Sequence, residues 1–323
     1  MSGLAKYILS CGKKVGGSDN VSSIYTDELE KAGAKVEIGN DKGSVHFYDV
    51  VVYTDAVQEN DFQLMEAREL NKIILSRGQL LYEVSRGFKR VIAVSGCHGK
   101  TTCTAMLVHI FACAGAKFGA HIGGRDKKFF NSFYSGNDFF ITEACEYKKN
   151  FLLLKPDIAV VLNSAPDHLE CYGSVQNLRQ SYKLFAESAE ISIVPYGDLK
   201  VEGVTFGYEK SAKYYARNVV CKHGFYSFTA YDGDGVLGGV DLNVYGKHNV
   251  LNALAAIAAA RSAGVPFARI KEGLADFCGV ERRFECLGKF KGALCIADYA
   301  HHPDEISATL SAIKKINKGK LYV

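Results

Sequence analysis

No long hydrophobic run occurs in this 323-residue sequence: the longest purely apolar stretch covers residues 253–260, far short of the ~20 residues that span a bilayer. No apolar core follows the initial Met, which argues against a secretory signal. None of the ten cysteines belongs to a C-x-x-C pair. They are scattered through apolar segments, as at Cys103, Cys113 and Cys295, where thiols act as small buried hydrophobes in a reducing compartment. No block of five like charges is present and the formal net charge is only +4, which excludes charged arms and disfavours a dedicated nucleic-acid surface. Neither a Ser-His-Asp nor a Cys-His arrangement is supported, and no aromatic-rich nucleic-acid sheet is indicated. These absences predict a cytoplasmic protein with no membrane and no nucleic-acid partner. A composition of 48% hydrophobic and 23% charged residues is ordinary for a globular chain, and its length predicts two to three domains.

What is present is concentrated in one segment. The β-branched run Val91-Ile92-Ala93-Val94-Ser95 ends in Gly96-Cys97-His98-Gly99-Lys100-Thr101-Thr102, and an apolar helical pattern follows. A strand, a glycine-turned loop and a helix N-terminus make a phosphate cradle. Gly96 and Gly99 let backbone amides approach phosphate oxygens, Lys100 would reach the outer phosphates of a nucleotide, and the Thr101 hydroxyl would sit on Mg²⁺. Val94 stands where the usual loop carries a further glycine, so an ordinary β–α turn with a surface lysine remains the alternative.

The rest of the chain reads as α/β. Helices are expected at residues 3–11, 26–32 and 63–70, a turn at Gly17-Ser18-Asp19-Asn20, and strands at 35–38, 50–53 and 72–75. This is a Rossmann-like unit over residues 1–87 that opens on a helix, its first strand missing. A second unit over 88–279 has strands at 139–143, 158–163 and 191–194, whose β-branched, doubly buried character predicts a mostly parallel sheet of the phosphate-loop ATPase type. An added antiparallel portion at 201–244 contains the turn Asp232-Gly233-Asp234-Gly235, and an alanine-rich helix at 248–263 is stopped by Gly264 and Pro266. From 280 to 323, strands at 294–297 and 320–323 around a helix at 304–316 suggest the start of a third, Rossmann-like domain.

Polar residues recur at strand ends, where parallel sheets bind ligands. Glu143 closes one strand and would hold Mg²⁺ directly or through water; a helix cap is its plainer reading. Asp167 and His168 follow the next strand and offer an oxygen and an imidazole side by side, although a lone His is more often structural. Asn249 has the paired donor and acceptor that an adenine edge requires, or simply caps a helix. Arg282 and Arg283 would clamp transferring phosphate oxygens, or lie on a solvated face. Asp298, in Asp298-Tyr299-Ala300-His301-His302-Pro303, reads best as a ribose or substrate contact.

Together and in this order these segments resemble the Mur ligases, the ATP-dependent amide-forming enzymes of peptidoglycan precursor synthesis. Gly96-Cys97-His98-Gly99-Lys100-Thr101-Thr102 is similar to that family's Gly-Thr-His-Gly-Lys-Thr-Thr loop, with Cys97 in place of Thr. Glu143-Ala144-Cys145-Glu146, Asp167-His168-Leu169-Glu170, Gly246-Lys247-His248-Asn249, Arg282-Arg283-Phe284 and the Asp298 to Pro303 segment resemble its other motifs. The last is the most specific for the alanine-adding branch and its nearest relatives. Gly17-Ser18-Asp19 resembles the family's turn near the UDP site.

The resemblance implies ATP and Mg²⁺ as cofactors, with the phosphates held by Gly96, His98, Gly99, Lys100, Thr101 and Thr102. It implies Thr101, Glu143 and His168 as metal ligands, Asn249 on adenine, Arg283 on the outer phosphate and Asp298 on ribose. Lys100, Glu143, His168 and Arg283 carry the catalytic roles, and Ser18, Asp19 and His301 contact substrate. The implied reaction activates the carboxylate of UDP-N-acetylmuramate as an acyl phosphate, which the amine of L-alanine then attacks. The family's opening strand and glycine-rich turn are absent before Met1-Ser2-Gly3, and a C-terminal domain is expected after Val323. The expectation is therefore a fragment with weak or no turnover. Joining a recycled tripeptide to the same sugar nucleotide is one alternative; a non-catalytic nucleotide-binding module is another.

Overall fold

The computed structural model describes residues 1–39, 45–233, 235–317 and 319–323. The N-terminal unit runs α1 (Ser2–Ser10), β1 (Gly16–Asp19), α2 (Ile24–Lys31), β2 (Lys35–Ile38), β3 (Val50–Tyr53), α3 (Phe62–Glu69), β4 (Ile73–Ser76) and α4 (Arg77–Ser85). Its strands form two separate parallel pairs, β1 with β2 and β3 with β4. The turn expected at 17–20 is corrected here, since Gly17, Ser18 and Asp19 belong to β1. Gly16 to Asp19 pair in register with Lys35 to Ile38, and this ladder overrides the local turn composition. Ser23 and Ser76 start α2 and α4 through capping boxes with Thr26 and Gln79, each satisfying backbone amides that would otherwise lack partners.

The central unit comprises β5 (Arg90–Ser95), α5 (Lys100–Cys113), β6 (Phe118–Asp126), β7 (Phe130–Tyr134), β8 (Phe139–Glu143), β9 (Ile158–Val161), α6 (Leu169–Tyr172), α7 (Val175–Glu187), β10 (Ile191–Pro195), β11 (Val204–Gly207), β12 (Tyr214–Lys222), β13 (Phe225–Asp232), β14 (Gly235–Tyr245), α8 (His248–Ser262) and α9 (Phe267–Asp276). Its strands make one ten-stranded sheet in the order β14-β13-β12-β11-β10-β9-β5-β8-β6-β7. Pairing is parallel from β6 through β12 and antiparallel at both margins, in β6–β7 and β12–β13–β14. The antiparallel portion thus begins one strand later than the composition suggests, because β11 still runs parallel to β12. Asp234, in the turn expected between β13 and β14, lies outside the described residues.

Side chains alternate across β5 and bury on both faces. Ile92 and Val94 join the core under α5, α8 and α9, whereas Val91 and Ala93 join the core under α1, α4 and α7. This double burial accounts for the apolar runs that a parallel sheet requires. The small side chains of α8, from Ala253 to Ala260, are fully buried and let that helix sit close to its neighbours.

A polar cluster runs from inside this core to its surface. His109, in the middle of α5, meets Asp126 at 3.1 Å and Asp276 at 2.7 Å, tying α5 to the ends of β6 and α9. Asp126 also accepts from the amides of Lys128 and Phe129 at 2.8 and 2.9 Å.

The chain continues into β15 (Glu285–Phe290), β16 (Ala293–Ala297) and α10 (Pro303–Ile316). β15 and β16 form an antiparallel pair. Residues 320–323, expected as a strand, form none: β16 is hydrogen-bonded to β15 alone, and no ladder partner for 320–323 exists among the described residues. No helix among the described residues is long and apolar enough to cross a membrane.

Burial alone would raise the Asp126 carboxyl, but His109 and the two amides outweigh it and hold its pKa below the usual 3.8. At Asp276 the Lys128 ammonium and His109 lower it likewise. Both native values lie below the unfolded ones, so this stability is present above pH 3.8 and is lost as pH falls through the native values. Replacing Asp126 by Ala removes the buried one of the two carboxylates that His109 meets, together with the acceptor of two backbone amides, and is expected to cost roughly 3 kcal/mol, measured by urea unfolding at neutral pH. A loss under 1 kcal/mol would show that the cluster does not hold α5, β6 and α9 together.

Candidate phosphate-loop site

Parallel register brings three strand ends to one edge. Val94 of β5 lies opposite Glu143 of β8 and Val160 of β9, so the loop after β5, the carboxylate of Glu143 and the segment after β9 converge. Gly99 caps α5 with φ +86° and no side-chain capping bond. A Cβ there would lie 2.4 Å from Asn252 Oδ1, so both conformation and space require glycine. The free amides of the first turn of α5 therefore face the loop. Asn163, just beyond β9, holds the loop from the side: the His98 amide donates to its Oδ1 at 3.1 Å, and its Nδ2 donates to the His98 carbonyl at 2.9 Å.

Lys100 is folded back beneath the loop. Its Nζ donates to the carbonyls of Gly96 at 2.6 Å and Cys97 at 3.1 Å, and to Glu146 Oε1 at 2.8 Å. Burial pulls the lysine pKa down, but the charge and hydrogen bond of Glu146, with the neighbouring Cys145 and Glu143, together outweigh it and the net shift is upward. Lys100 is thus a firmly charged ammonium.

Glu143 is held by the amide of Gly123 at 2.5 Å, and a Cβ on Gly123 would collide with its carboxylate at 2.5 Å from Oε2. Burial raises the Glu143 pKa, against opposition from the Gly123 amide, the Lys100 charge and the Thr101 hydroxyl. A half-buried carboxylate beside a threonine hydroxyl is a hard-oxygen donor set, and it fits a divalent cation of the Mg²⁺ class. His168 stands apart from that pair, in a cluster with Glu146 and Asp167 whose ligand atoms lie within 4.8 Å of one another. Burial and the Asp167 charge push the Cys97 thiol well up, so it stays protonated and donates to Asp167 Oδ2 at 3.6 Å. This removes Cys97 as a nucleophile.

A cavity of about 450 Å³ opens beside the loop, lined by His98, Gly99, Thr101 and Thr102 on one side and by Asn249, Arg283 and Asp298 on the other. Gly96, Lys100, Glu143 and His168 do not line it. Asn249 is committed within the fold: its Nδ2 donates to the Tyr245 carbonyl at 2.7 Å and its Oδ1 accepts from Asn252 at 2.9 Å. Both Asp298 oxygens accept from backbone amides, of Phe284 and Ala300, at 2.7 Å. His301 is exposed and bonds the Tyr299 carbonyl at 3.1 Å. Ser18 and Asp19 lie on β1, outside this cavity, with Ser18 hydrogen-bonded to Gln63.

Some participants carry no signal in the sequence. Glu305, on α10, accepts from His98 Nδ1 at 3.1 Å and lies 3.6 Å from Arg283, linking the third unit directly to the loop. A smaller cavity of about 240 Å³ between the N-terminal and central units is lined by Tyr25, Arg77, His121, Gly123 and Gly124 among others. Burial and the Arg77 charge lower the His121 pKa to about 3, so its ring is neutral. Asn163 was detectable in principle, as a polar residue directly following a buried strand; Glu305, Arg77 and His121 look like ordinary helix and strand residues.

Fold and loop define a phosphate-loop α/β protein in which three units meet around one strand edge. The chain belongs to the Mur ligase family, whose members are ATP-dependent ligases. Residues 1–89 match the Mur ligase family catalytic domain, 94–260 the Mur ligase middle domain and 282–323 the Mur ligase glutamate ligase domain. A curated relative, the UDP-N-acetylmuramate–L-alanine ligase of Clostridium beijerinckii, is 36% identical over 100% of this chain and 73% of its own length. The crystal structure of the UDP-N-acetylmuramate-alanine ligase MurC of Thermotoga maritima superposes with a TM-score of 0.88 at 30% identity, covering 98% of this chain and 75% of that one. A murein peptide ligase from Psychrobacter arcticus gives 0.79 at 27% identity, covering 98% and 74%.

Burial raises the Glu305 carboxyl, but His98, the His301 amide and the Arg283 charge outweigh it and bring its pKa from 4.5 to about 2. Its contribution to docking α10 on the loop is complete above pH 4.5 and is lost as pH falls toward about 2. Protection factors of the α10 amides, taken against the intrinsic exchange rate at each pH, are expected to fall over that window, and in Glu305→Gln at neutral pH. Equal protection in both proteins would remove Glu305 as the anchor.

Proposed function

We propose that this chain binds ATP at the loop and ligates L-alanine to the carboxylate of UDP-N-acetylmuramate through an acyl phosphate, in the cytoplasmic stage of peptidoglycan precursor synthesis. The observation that carries this reading is the convergence of Lys100, Thr101 and Glu143 at the ends of β5 and β8, beside a cavity walled by the central unit and by the residues that follow it. The loop amides and the N-terminus of α5 would hold the phosphates. Arg283, on the far wall of the cavity, is set to meet charge on the outer phosphate, and Asn249 and Asp298 to meet the nucleoside once their internal hydrogen bonds rearrange.

Mg²⁺, held by Thr101 and Glu143, would neutralise phosphate charge. Lys100 would do the same from beneath the loop, orienting the outer phosphate for attack by the acceptor carboxylate. The smaller cavity suits that acceptor: the Arg77 guanidinium offers an anion partner, and Gly123 belongs both to its wall and to the cradle of Glu143. Ser18, Asp19 and His301 are the proposed contacts to the remaining parts of the two substrates.

The similarity to a murein peptide ligase at a TM-score of 0.79 favours a second reading, in which the amine donor is a peptide rather than L-alanine. The test is ADP release with Mg-ATP, UDP-N-acetylmuramate and either L-alanine or L-Ala-γ-D-Glu-meso-diaminopimelate, omitting each component in turn. Release that requires the sugar nucleotide and L-alanine supports the first reading, and release only with the tripeptide supports the second. Lys100→Ala is expected to lower release by at least ~100-fold; release unaffected by that change would exclude the loop as the catalytic phosphate site.

A further inference from the structure

The lysine of the loop is already engaged, and its partner belongs to a second cluster. Glu146 is 2% exposed and pairs through Oε1 with Lys100 at 2.8 Å. Its other oxygen, Oε2, is buried and has no hydrogen-bond partner among the described residues. The Glu146 backbone is pinned, since its carbonyl accepts from the Tyr172 hydroxyl. The same carboxylate also belongs to the cluster with Asp167 and His168, where the three ligand atoms lie within 4.8 Å of one another. Glu146 therefore stands between an ammonium that a phosphate would claim and a set of donors that a cation would fit.

Charge conservation in a buried site makes these two events dependent. If Lys100 turns toward a phosphate, Glu146 loses the one ion-pair partner it has among the described residues while remaining buried, and an uncompensated buried carboxylate is strongly unfavourable. The orphan Oε2, with Asp167 and His168 beside it, supplies oxygen and nitrogen ligands for an entering divalent cation.

We propose that Glu146 is the positioning residue of Lys100, and that nucleotide and cation exchange places with the Lys100–Glu146 pair: phosphate takes the ammonium, and the cation takes the carboxylate that the ammonium leaves. This rests on the nucleotide-binding reading above. Without a divalent cation, Glu146 competes with phosphate for Lys100 and weakens nucleotide binding. With one, the competition is relieved. Coupling of this kind is reciprocal, so nucleotide tightens the cation by the same factor.

The experiment is calorimetric titration of the whole chain with ADP, in excess Mg²⁺ and in EDTA, for the unsubstituted protein, Glu146→Gln and Asp167→Asn. Glu146→Gln is expected to bind metal-free ADP about 10-fold tighter than the unsubstituted chain, shrinking the Mg²⁺ effect by a similar factor. Asp167→Asn removes an equal charge from the same cluster without touching Lys100. It is expected to shrink the Mg²⁺ effect while leaving metal-free ADP within about twofold. Metal-free affinity unchanged in Glu146→Gln, or raised equally in both variants, overturns the proposal, the second because it shows general electrostatics rather than exchange. Should Glu146→Gln fail to fold, Glu146→Asp draws the charge one methylene back from Lys100 and is expected to tighten metal-free ADP about threefold, with no change overturning the proposal. An unsubstituted chain that binds no ADP in either buffer overturns the nucleotide reading, and this one with it.

Discussion

The parallel register of β8, β5 and β9 is the constraint on which the rest of this protein depends. Because the three strands run the same way, their C-terminal ends lie on one edge, and whatever follows each of them is delivered to the same place. The phosphate loop follows β5, Glu143 closes β8, and Asn163, Asp167 and His168 follow β9. A parallel sheet must bury both faces, and the two cores on either side of β5 do so. The rigidity that results lets the short loop Gly96 to Gly99 keep its shape at the start of α5.

Electrostatics at this edge are arranged as pairs. Lys100 sits on Glu146, His98 and Arg283 sit on Glu305, and Glu143 sits on backbone and hydroxyl donors. Each charge has a partner in the structure as it stands, which keeps the buried groups from costing several kcal/mol apiece. The site belongs to no single unit: its walls come from the central sheet, the connection after α9 and helix α10.

The chain shares its middle portion, the most extensively matched part, with ligases that act on UDP-N-acetylmuramate. A central sheet of this kind provides phosphate handling that does not depend on the amine donor. A UDP-N-acetylmuramate-alanine ligase and a murein peptide ligase both superpose well on this chain, so the fold by itself does not distinguish the two amine donors.

Sequence alone determined the phosphate loop, the parallel character of the central sheet and the family. Those features are written in local pattern: glycines where the chain must turn, β-branched runs where both faces are buried, and motifs of fixed spacing. It also marked most strand-end residues, because a polar side chain directly after a buried strand has one place to go. It misjudged Gly17-Ser18-Asp19, whose composition favours a turn but whose ladder with β2 makes a strand, and it expected a strand at 320–323 where no neighbour pairs with it. Only the tertiary structure decided who is paired with whom. That Glu146 holds Lys100, that Glu305 reaches His98 across more than two hundred residues of chain, and that His168 lies with Glu146 and Asp167 are consequences of packing. Side chains distant in sequence meet because sheet order and helix placement bring them together, and no local pattern encodes the distance between two charges.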